Sequence, residues 1–433
     1  MKKIVILGGG ESGVGAAILA KEKGHPVFLS DRGTLKATYR EKLELNNIPY
    51  EENNHDRAKI FAADLIVKSP GIPDSAPLIK ALTEDGIPVI SEIEFAGKHT
   101  NSVIIGITGS NGKTTTANLT YHLLKAGGLD VGLGGNIGRS FAKMVVAEPH
   151  DIYVLELSSF QLDGIEYFQP DISILLNITP DHLDRYDYKM ENYIDSKFRI
   201  IKNQEAEDVF IYNIEDQNIA DFINEKEILP KRIGVRISSS NASNISVHEV
   251  ADFDLTDTTL KGLHNRFNAE CAIHAAISQG VSAEDIQEGL NSFKNSPHRL
   301  EVVATIDGIT YINDSKATNV DSVYYALLAV RNPIILIIGG VDKGNDYGQI
   351  IELVKEKVKG IVCLGIDNEK IKSTFSGVVE EITEADSMEK AIKKSRKMAK
   401  VGDQVLLSPA CASFDLFKNY EDRGEQFTKL VRS

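Results

Sequence analysis

Short apolar runs alternate with amphipathic stretches along almost the whole chain. Ile4 to Leu7, Val27 to Leu29, Leu65 to Val67 and Val89 to Ile90 are too short for helices, and the segments between them repeat their apolar residues at helical spacing. That alternation predicts a parallel sheet clothed in helices. It resumes with a strand through Ile104 to Ile107, then Ile152 to Leu155, Ile172 to Ile178 and Val209 to Tyr212, followed by a β-rich polar segment from Ile233 to Lys261. After Asn265 a helix carries Ala269, Ala272, Ile273 and Ala276 on one face. A third series runs through Ile309 to Ile312, Ile334 to Ile338, Ile361 to Leu364 and Gln404 to Leu407. Polar breaks at Gly97-Lys98-His99-Thr100-Asn101 and Asn295-Ser296-Pro297 divide these series into three expected α/β domains, 1–97, 98–296 and 297–433. The outer two read as Rossmann-like open sheets.

Composition narrows the partners. A chain of 433 residues is too long for one ordinary core, and 42% hydrophobic with 25% charged residues is globular usage. The formal charge of −14 speaks against a nucleic-acid surface, so an anionic ligand must be met by local clusters of cations and backbone N–H groups. Cys271, Cys363 and Cys411 are odd in number and lack metal-ligand spacing, which predicts reduced thiols. The apolar run after Lys2-Lys3 stops within four residues at Gly8, and Ile334 to Ile338 is far short of the roughly 20 residues that span a bilayer. A cytoplasmic protein with no membrane partner is expected, and Lys393-Lys394-Ser395-Arg396-Lys397 reads as a solvated helix face.

The central domain opens on Ile104-Ile105-Gly106-Ile107-Thr108-Gly109-Ser110-Asn111-Gly112-Lys113-Thr114-Thr115. An apolar strand emptying into a glycine turn that ends in Lys-Thr-Thr is a phosphate cradle: Gly109 and Gly112 admit close backbone approach, Lys113 adds a point charge, and the Thr114 hydroxyl can ligate magnesium. A helix expected to open at Thr115 turns its positive end to the same anion. The first glycine of the general pattern would fall at Ile107, so the loop is a shorter variant.

Other clusters end strands. Gly8-Gly9-Gly10-Glu11-Ser12-Gly13 has dinucleotide-loop spacing, with Asp31 18 residues after Gly13, yet any diphosphate satisfies such glycines. Glu156-Leu157-Ser158-Ser159-Phe160-Gln161 places a carboxylate at a buried strand end, as a magnesium ligand or as part of a helix cap. Asn177-Ile178-Thr179-Pro180-Asp181-His182 sets a histidine beside an aspartate, and Lys197 follows in the next helix.

Taken in order, Gly109 to Thr115, Gly135-Asn136-Ile137-Gly138, Glu156 to Gln161, Thr179 to Arg185, Gly262 to Ala269 and Asn313-Asp314-Ser315-Lys316-Ala317-Thr318-Asn319 resemble the motif set of the Mur ligases over essentially the whole chain. The closing run Ser408 to Gly424 resembles that of the branch that adds D-glutamate. The resemblance implies ATP-dependent phosphorylation of a carboxylate on a UDP-sugar, followed by attack of an amino acid's amine. It implies Lys113, His182, Lys197 and Asn136 as catalytic groups. It implies two magnesium ions held by Thr114, Glu156, His182 and Lys197, with Lys197 carbamylated. ATP is expected on Gly109, Ser110, Asn111, Gly112, Lys113, Thr114, Thr115, Asn265, Asn268, Arg299 and Asp314. The sugar nucleotide is expected on Ser12, Asp31, Arg32, Ser69, Gly71, Asn136, Ser158 and Gln161. D-glutamate is expected on His182, Thr318, Lys343, Ser413, Phe414 and Tyr420. A monomer is expected.

Three rivals remain at this point. A sister ligase, of another Mur or the folylpolyglutamate type, shares the loop and the Lys197-type lysine. A nicotinamide-dependent oxidoreductase rests on the first glycine turn with Asp31 and leaves Lys113, Glu156, His182 and Lys197 idle. A nucleotide-binding switch protein does not account for a separate amino-acid pocket.

Overall fold

In the computed structural model, which describes residues 1–237, 243–248, 250–331 and 333–433, every series of apolar runs becomes a sheet. The first is five-stranded and wholly parallel, in the order β3-β2-β1-β4-β5: β1 Ile4–Leu7, β2 Val27–Ser30, β3 Tyr50–Glu51, β4 Leu65–Lys68 and β5 Val89–Ser91. That order, with its reversal between β1 and β4, is the doubly wound arrangement that leaves a crevice at the carboxyl ends of the strands.

The central sheet has six parallel strands in the order β11-β10-β9-β6-β8-β7: β6 Val103–Thr108, β7 Val131–Gly135, β8 Ile152–Glu156, β9 Ile172–Leu175, β10 Val209–Asn213 and β11 Lys231–Val235. β6, β8 and β9 are buried almost throughout, as strands covered on both faces must be. A hairpin of β12 Asn244–Val247 and β13 Ala251–Asp254 lies within the expected β-rich segment, of which 238–242 and 249 lie outside the described residues.

The third sheet runs β14-β15-β19-β16-β17-β18, from β14 Glu301–Ile306, β15 Ile309–Asn313, β16 Ile334–Ile338, β17 Val358–Leu364, β18 Glu381–Ala385 and β19 Gln404–Leu407. Only β14 is antiparallel, paired with β15 by a short hairpin.

Packing divides the described chain into two units, Met1–Thr258 with Asn265–Phe293, and Thr259–His264 with Lys294–Ser433. The first unit holds two sheets because their helices share one core, in which Ile4, Ala16, Leu19 and Ile93 pack in one cluster with Phe141, Tyr153 and Leu162. Helix Glu11–Glu22 meets helix Phe141–Ala147 so closely that a β-carbon on Gly15 would lie 2.0 Å from Ser140 Oγ. Glu92, 2% exposed, joins the same contact by accepting from Ser140 Oγ and the Ala142 N–H, each at 2.7 Å.

Candidate functional site

β6 runs out at Thr108, and its loop is held from the neighbouring strand. Ser110 N–H donates to Asn177 O at 2.9 Å, Asn111 N–H to Asn177 Oδ1 at 2.8 Å, and Ser110 Oγ to Thr179 O at 2.8 Å. Helix Lys113–Ala126 starts two residues before the expected Thr115, because Gly112 takes the N-cap with φ 85°. A side chain there would be strained, and its β-carbon would sit 2.7 Å from Asn268 Oδ1. Lys113 Nζ donates back to Gly109 O at 2.7 Å and Ser110 O at 2.8 Å, which puts an ammonium at the mouth of the turn.

The carboxylate expected at the end of β8 is there. Glu156, 2% exposed, accepts from Thr114 Oγ1 at 2.7 Å and from Asn136 Nδ2 at 2.8 Å. Asn136 is aimed by its backbone, whose N–H donates to Glu156 O at 2.8 Å. The preceding Gly135, at φ 92°, leaves a β-carbon only 2.3 Å from that same carbonyl oxygen, so no larger residue fits. A hydroxyl and a carboxylate in contact are two hard oxygen donors. Among the described residues no three His, Cys, Asp or Glu side chains converge on a metal position. The Thr114–Glu156 oxygen pair fits magnesium, which is commonly held by one or two carboxylates together with substrate phosphates.

Lys197, 1% exposed, reaches the loop from helix Met190–Phe198 and donates to Gly109 O at 2.8 Å. Its ammonium also lies 4.6 Å from the centre of the Tyr193 ring. Burial, and then the charge of Lys113, push it well below the ordinary lysine value, against the opposing pull of Asp181 and Asp163. His182 stands in the left-handed region at φ 52°, its ring edge-on to Phe160 at 5.3 Å and its Nε2 3.7 Å from Asp181.

Ser158 and Gln161 form the capping box of helix Ser159–Asp163: Gln161 N–H donates to Ser158 Oγ at 3.3 Å, and Ser158 N–H to Gln161 Oε1 at 2.9 Å. The capping chemistry weighed for this cluster thus belongs to Ser158 and Gln161, while Glu156 is left to Thr114 and Asn136. Asn265 and Asn268 are buried near one another on one helix, with Asn268 Nδ2 3.5 Å from Asn265 Oδ1.

In the first sheet Asp31 holds the glycine turn itself, accepting from the N–H of Gly9 and, at 2.6 Å, from that of Gly33. Ser69 Oγ reaches Gly8 O at 3.4 Å across the crevice, Ser12 is half-buried, and Arg32 and Gly71 are exposed. Glu11 is balanced by Lys42 at 3.5 Å and Lys143 at 3.9 Å.

The second unit gathers its candidates at the carboxyl ends of β15, β16 and β19. Asp314, 7% exposed, accepts from Ser408 Oγ at 2.8 Å and Leu300 N–H at 3.3 Å, and burial raises its carboxyl to about 7. Arg299 and Thr318 are half-buried, Ser413 is buried, and Lys343 and Phe414 are exposed. Lys316 Nζ lies 3.8 Å from the centre of the Tyr420 ring. Arg423, 1% exposed, donates to Ser315 Oγ, Ser315 O and Cys411 O, and so ties the loop after β15 to the loop after β19.

Asn177 and Arg423 lie inside the sequence motifs, at Asn177–His182 and Ser408–Gly424, with no task expected of either. Asn177, two residues past the end of β9, holds the glycine turn after β6, and Arg423 joins two strand ends from the last helix. Both bonds cross long sequence separations, and no local spacing signals them.

Comparison with known proteins gives matches to the MurD N-terminal domain over residues 3–77, the Mur ligase middle domain over 107–276, and the glutamate ligase domain of Mur ligases over 298–411. A protein of Christiangramia forsetii named UDP-N-acetylmuramoylalanine–D-glutamate ligase is 52% identical, with 100% of this chain and 99% of that protein covered. One of the same name from Cytophaga hutchinsonii is 51% identical over 99% of this chain and 98% of its own length. Among solved structures, a pseudomurein peptide ligase type C from Methanothermus fervidus superposes with a TM-score of 0.65 at 19% identity, covering 100% of both chains, and shows the shared fold.

Proposed function

The chain belongs to the Mur ligase family, and we propose that it joins D-glutamate to UDP-N-acetylmuramoyl-L-alanine at the cost of ATP. A carboxylate oxygen of the sugar nucleotide attacks the γ-phosphorus, and the bond to the β–γ bridging oxygen breaks to release ADP. The amine nitrogen then attacks the acyl carbon, loses a proton as the C–N bond forms, and expels phosphate. The observation that carries this reading is the convergence of Lys113 and Lys197 on Gly109 O, beside the Thr114–Glu156–Asn136 chain.

Several negative charges must be brought together before any bond changes, so charge neutralisation and alignment are the main tasks. Lys113 and the N-terminus of its helix meet the phosphates. Asn136 and His182 orient the reacting carboxylate. Magnesium, held by Thr114, Glu156, His182 and a carbamylated Lys197, would supply further positive charge. The depressed value of Lys197 supports the modification, because only a neutral amine adds to carbon dioxide. Asn265 and Asn268 take the adenine, Asp314 the ribose and Arg299 the phosphates. Ser12, Asp31, Arg32, Ser69, Gly71, Ser158 and Gln161 take the sugar nucleotide. Thr318, Lys343, Ser413, Phe414 and Tyr420 take D-glutamate.

Three domains, 1–97, 98–296 and 297–433, divide these tasks, and the enzyme acts as a cytoplasmic monomer. No helix among the described residues is long and apolar enough to cross a membrane. Phosphate release assayed in parallel with D-glutamate, L-glutamate and a diamino acid tests the reading: turnover is expected with D-glutamate alone. Turnover with the diamino acid instead would assign the chain to another branch of the family.

A further inference from the structure

Beneath the exposed Lys343 lies a side-chain network that the reaction as described does not use. Asp342 shapes the lysine's own loop, its Oδ1 accepting from Gly344 N–H at 2.6 Å and Asn345 N–H at 3.0 Å. Its Oδ2 accepts from the Tyr347 hydroxyl at 3.1 Å. That hydroxyl is 3.2 Å from Cys411 Sγ, in the loop after β19 that also carries Ser413 and Phe414. Asn345 Nδ2 donates to Ala410 O at 3.0 Å and lies 3.2 Å from the Tyr347 oxygen and 3.3 Å from Cys411 Sγ.

The hydrogens can be counted. Tyr347 has one, given to Asp342, so its oxygen must accept from the Cys411 thiol or from the second Asn345 hydrogen. Burial raises the thiol to about 11, which keeps its hydrogen available for donation. Tyr347 and Cys411 are 2% and 1% exposed, so a broken member leaves a buried polar partner without compensation. The backbone already joins the two loops once, where Val341 N–H donates to Ala412 O at 2.8 Å. The side-chain network extends that join to the far side of Lys343 and brackets the lysine between two fixed points.

We infer that Tyr347, Asn345 and Cys411 are positioning residues for the amino-acid substrate, locking the loop of Lys343 to the loop of Ser413 so that a cation and a hydroxyl meet a dicarboxylate at fixed separation. This inference rests on the assignment of Lys343 and Ser413 to D-glutamate. None of the three side chains touches the substrate. Their loss acts through lysine placement, which appears in the KM of one substrate.

The experiment compares Tyr347→Phe, Cys411→Ala, Cys411→Ser and Lys343→Ala with the unaltered enzyme, measuring KM for all three substrates, kcat and melting temperature. Tyr347→Phe is expected to raise the D-glutamate KM about tenfold, the worth of one buried hydrogen bond, with the KM for ATP and for the sugar nucleotide unchanged. Cys411→Ser, which keeps a donor, is expected to shift it less than Cys411→Ala; this pair decides the matter should Tyr347→Phe fail to fold. A raised D-glutamate KM in Lys343→Ala with none in Tyr347→Phe or Cys411→Ala overturns the inference alone. No change in Lys343→Ala overturns the pocket assignment and the inference with it.

Discussion

Two lysines from different helices donate to the single carbonyl of Gly109, Lys113 at 2.7 Å and Lys197 at 2.8 Å. Two ammonium groups on one acceptor repel, so the pair is stable only where one loses its proton or an anion joins them. A bound nucleotide would supply that anion for Lys113, and carbamylation would reverse the sign of Lys197. Lys113→Ala is expected to lower phosphate release by at least about 100-fold, with little change in melting temperature, since its ammonium acts on phosphate charge and contributes little to packing. Melting curves beside steady-state rates check it. Lys197→Ala is expected to inactivate as well, with partial recovery on adding short carboxylic acids that stand in for the carbamate; full activity without them would remove Lys197 from the mechanism. Lys113 and Glu156 were legible in the sequence, one closing a glycine turn after an apolar strand and the other ending a buried strand, whereas Lys197 on its own reads as a surface lysine and gains a role only from the family resemblance. Asn177 was not legible, because an asparagine at a strand end reads equally well as a turn residue.

At the scale of elements, the strands that sequence patterning found are the buried ones, and those it missed are weakly apolar or glycine-rich. β7 reads Val-Gly-Leu-Gly-Gly, where glycine is needed for close approach to β8 and erases the apolar signal. β18 is an edge strand with exposed polar residues, β14 is an antiparallel edge, and β11, also an edge strand, falls only from Ile233 within the expected β-rich segment. β9 ends at Leu175 and not at the expected Ile178, because Asn177 leaves the ladder to hold the phosphate loop. The contact between the first two sheets was also invisible locally, since it depends on Gly15, Ser140 and Glu92 meeting across long separations. Burial, reinforced by Glu11, raises the Glu92 carboxyl from 4.5 to about 7, while the bonds from Ala142 and Ser140 oppose it. The folded state therefore binds an extra proton between those values. The stability this proton contributes is fully present below about 4.5 and is lost as pH rises to about 7. Glu92→Gln, uncharged at every pH, is expected to flatten that part of the stability profile, by up to about 1.4 kcal/mol per pH unit. Urea unfolding at several pH values reads the slope directly; an unchanged slope would mean Glu92 is ionised throughout.

At the scale of the whole molecule, a chain of net charge −14 has to meet anionic substrates with local cations, such as Lys113 at a helix start, and not with a broad basic surface. Under the proposed assignment each substrate has its own segment of the chain, and turnover is expected to need all three at once: ADP release should stay at background when either the sugar nucleotide or D-glutamate is omitted. Steady ADP release without an acceptor would point to a hydrolase or a switch. The central claim is that a carboxylate is activated by taking a phosphoryl group, and the fate of its oxygen tests this most directly. With the sugar nucleotide's terminal carboxylate enriched in heavy oxygen, the account predicts one labelled oxygen in the inorganic phosphate released. Phosphate carrying oxygen only from ATP and water, alongside normal peptide product, would contradict it.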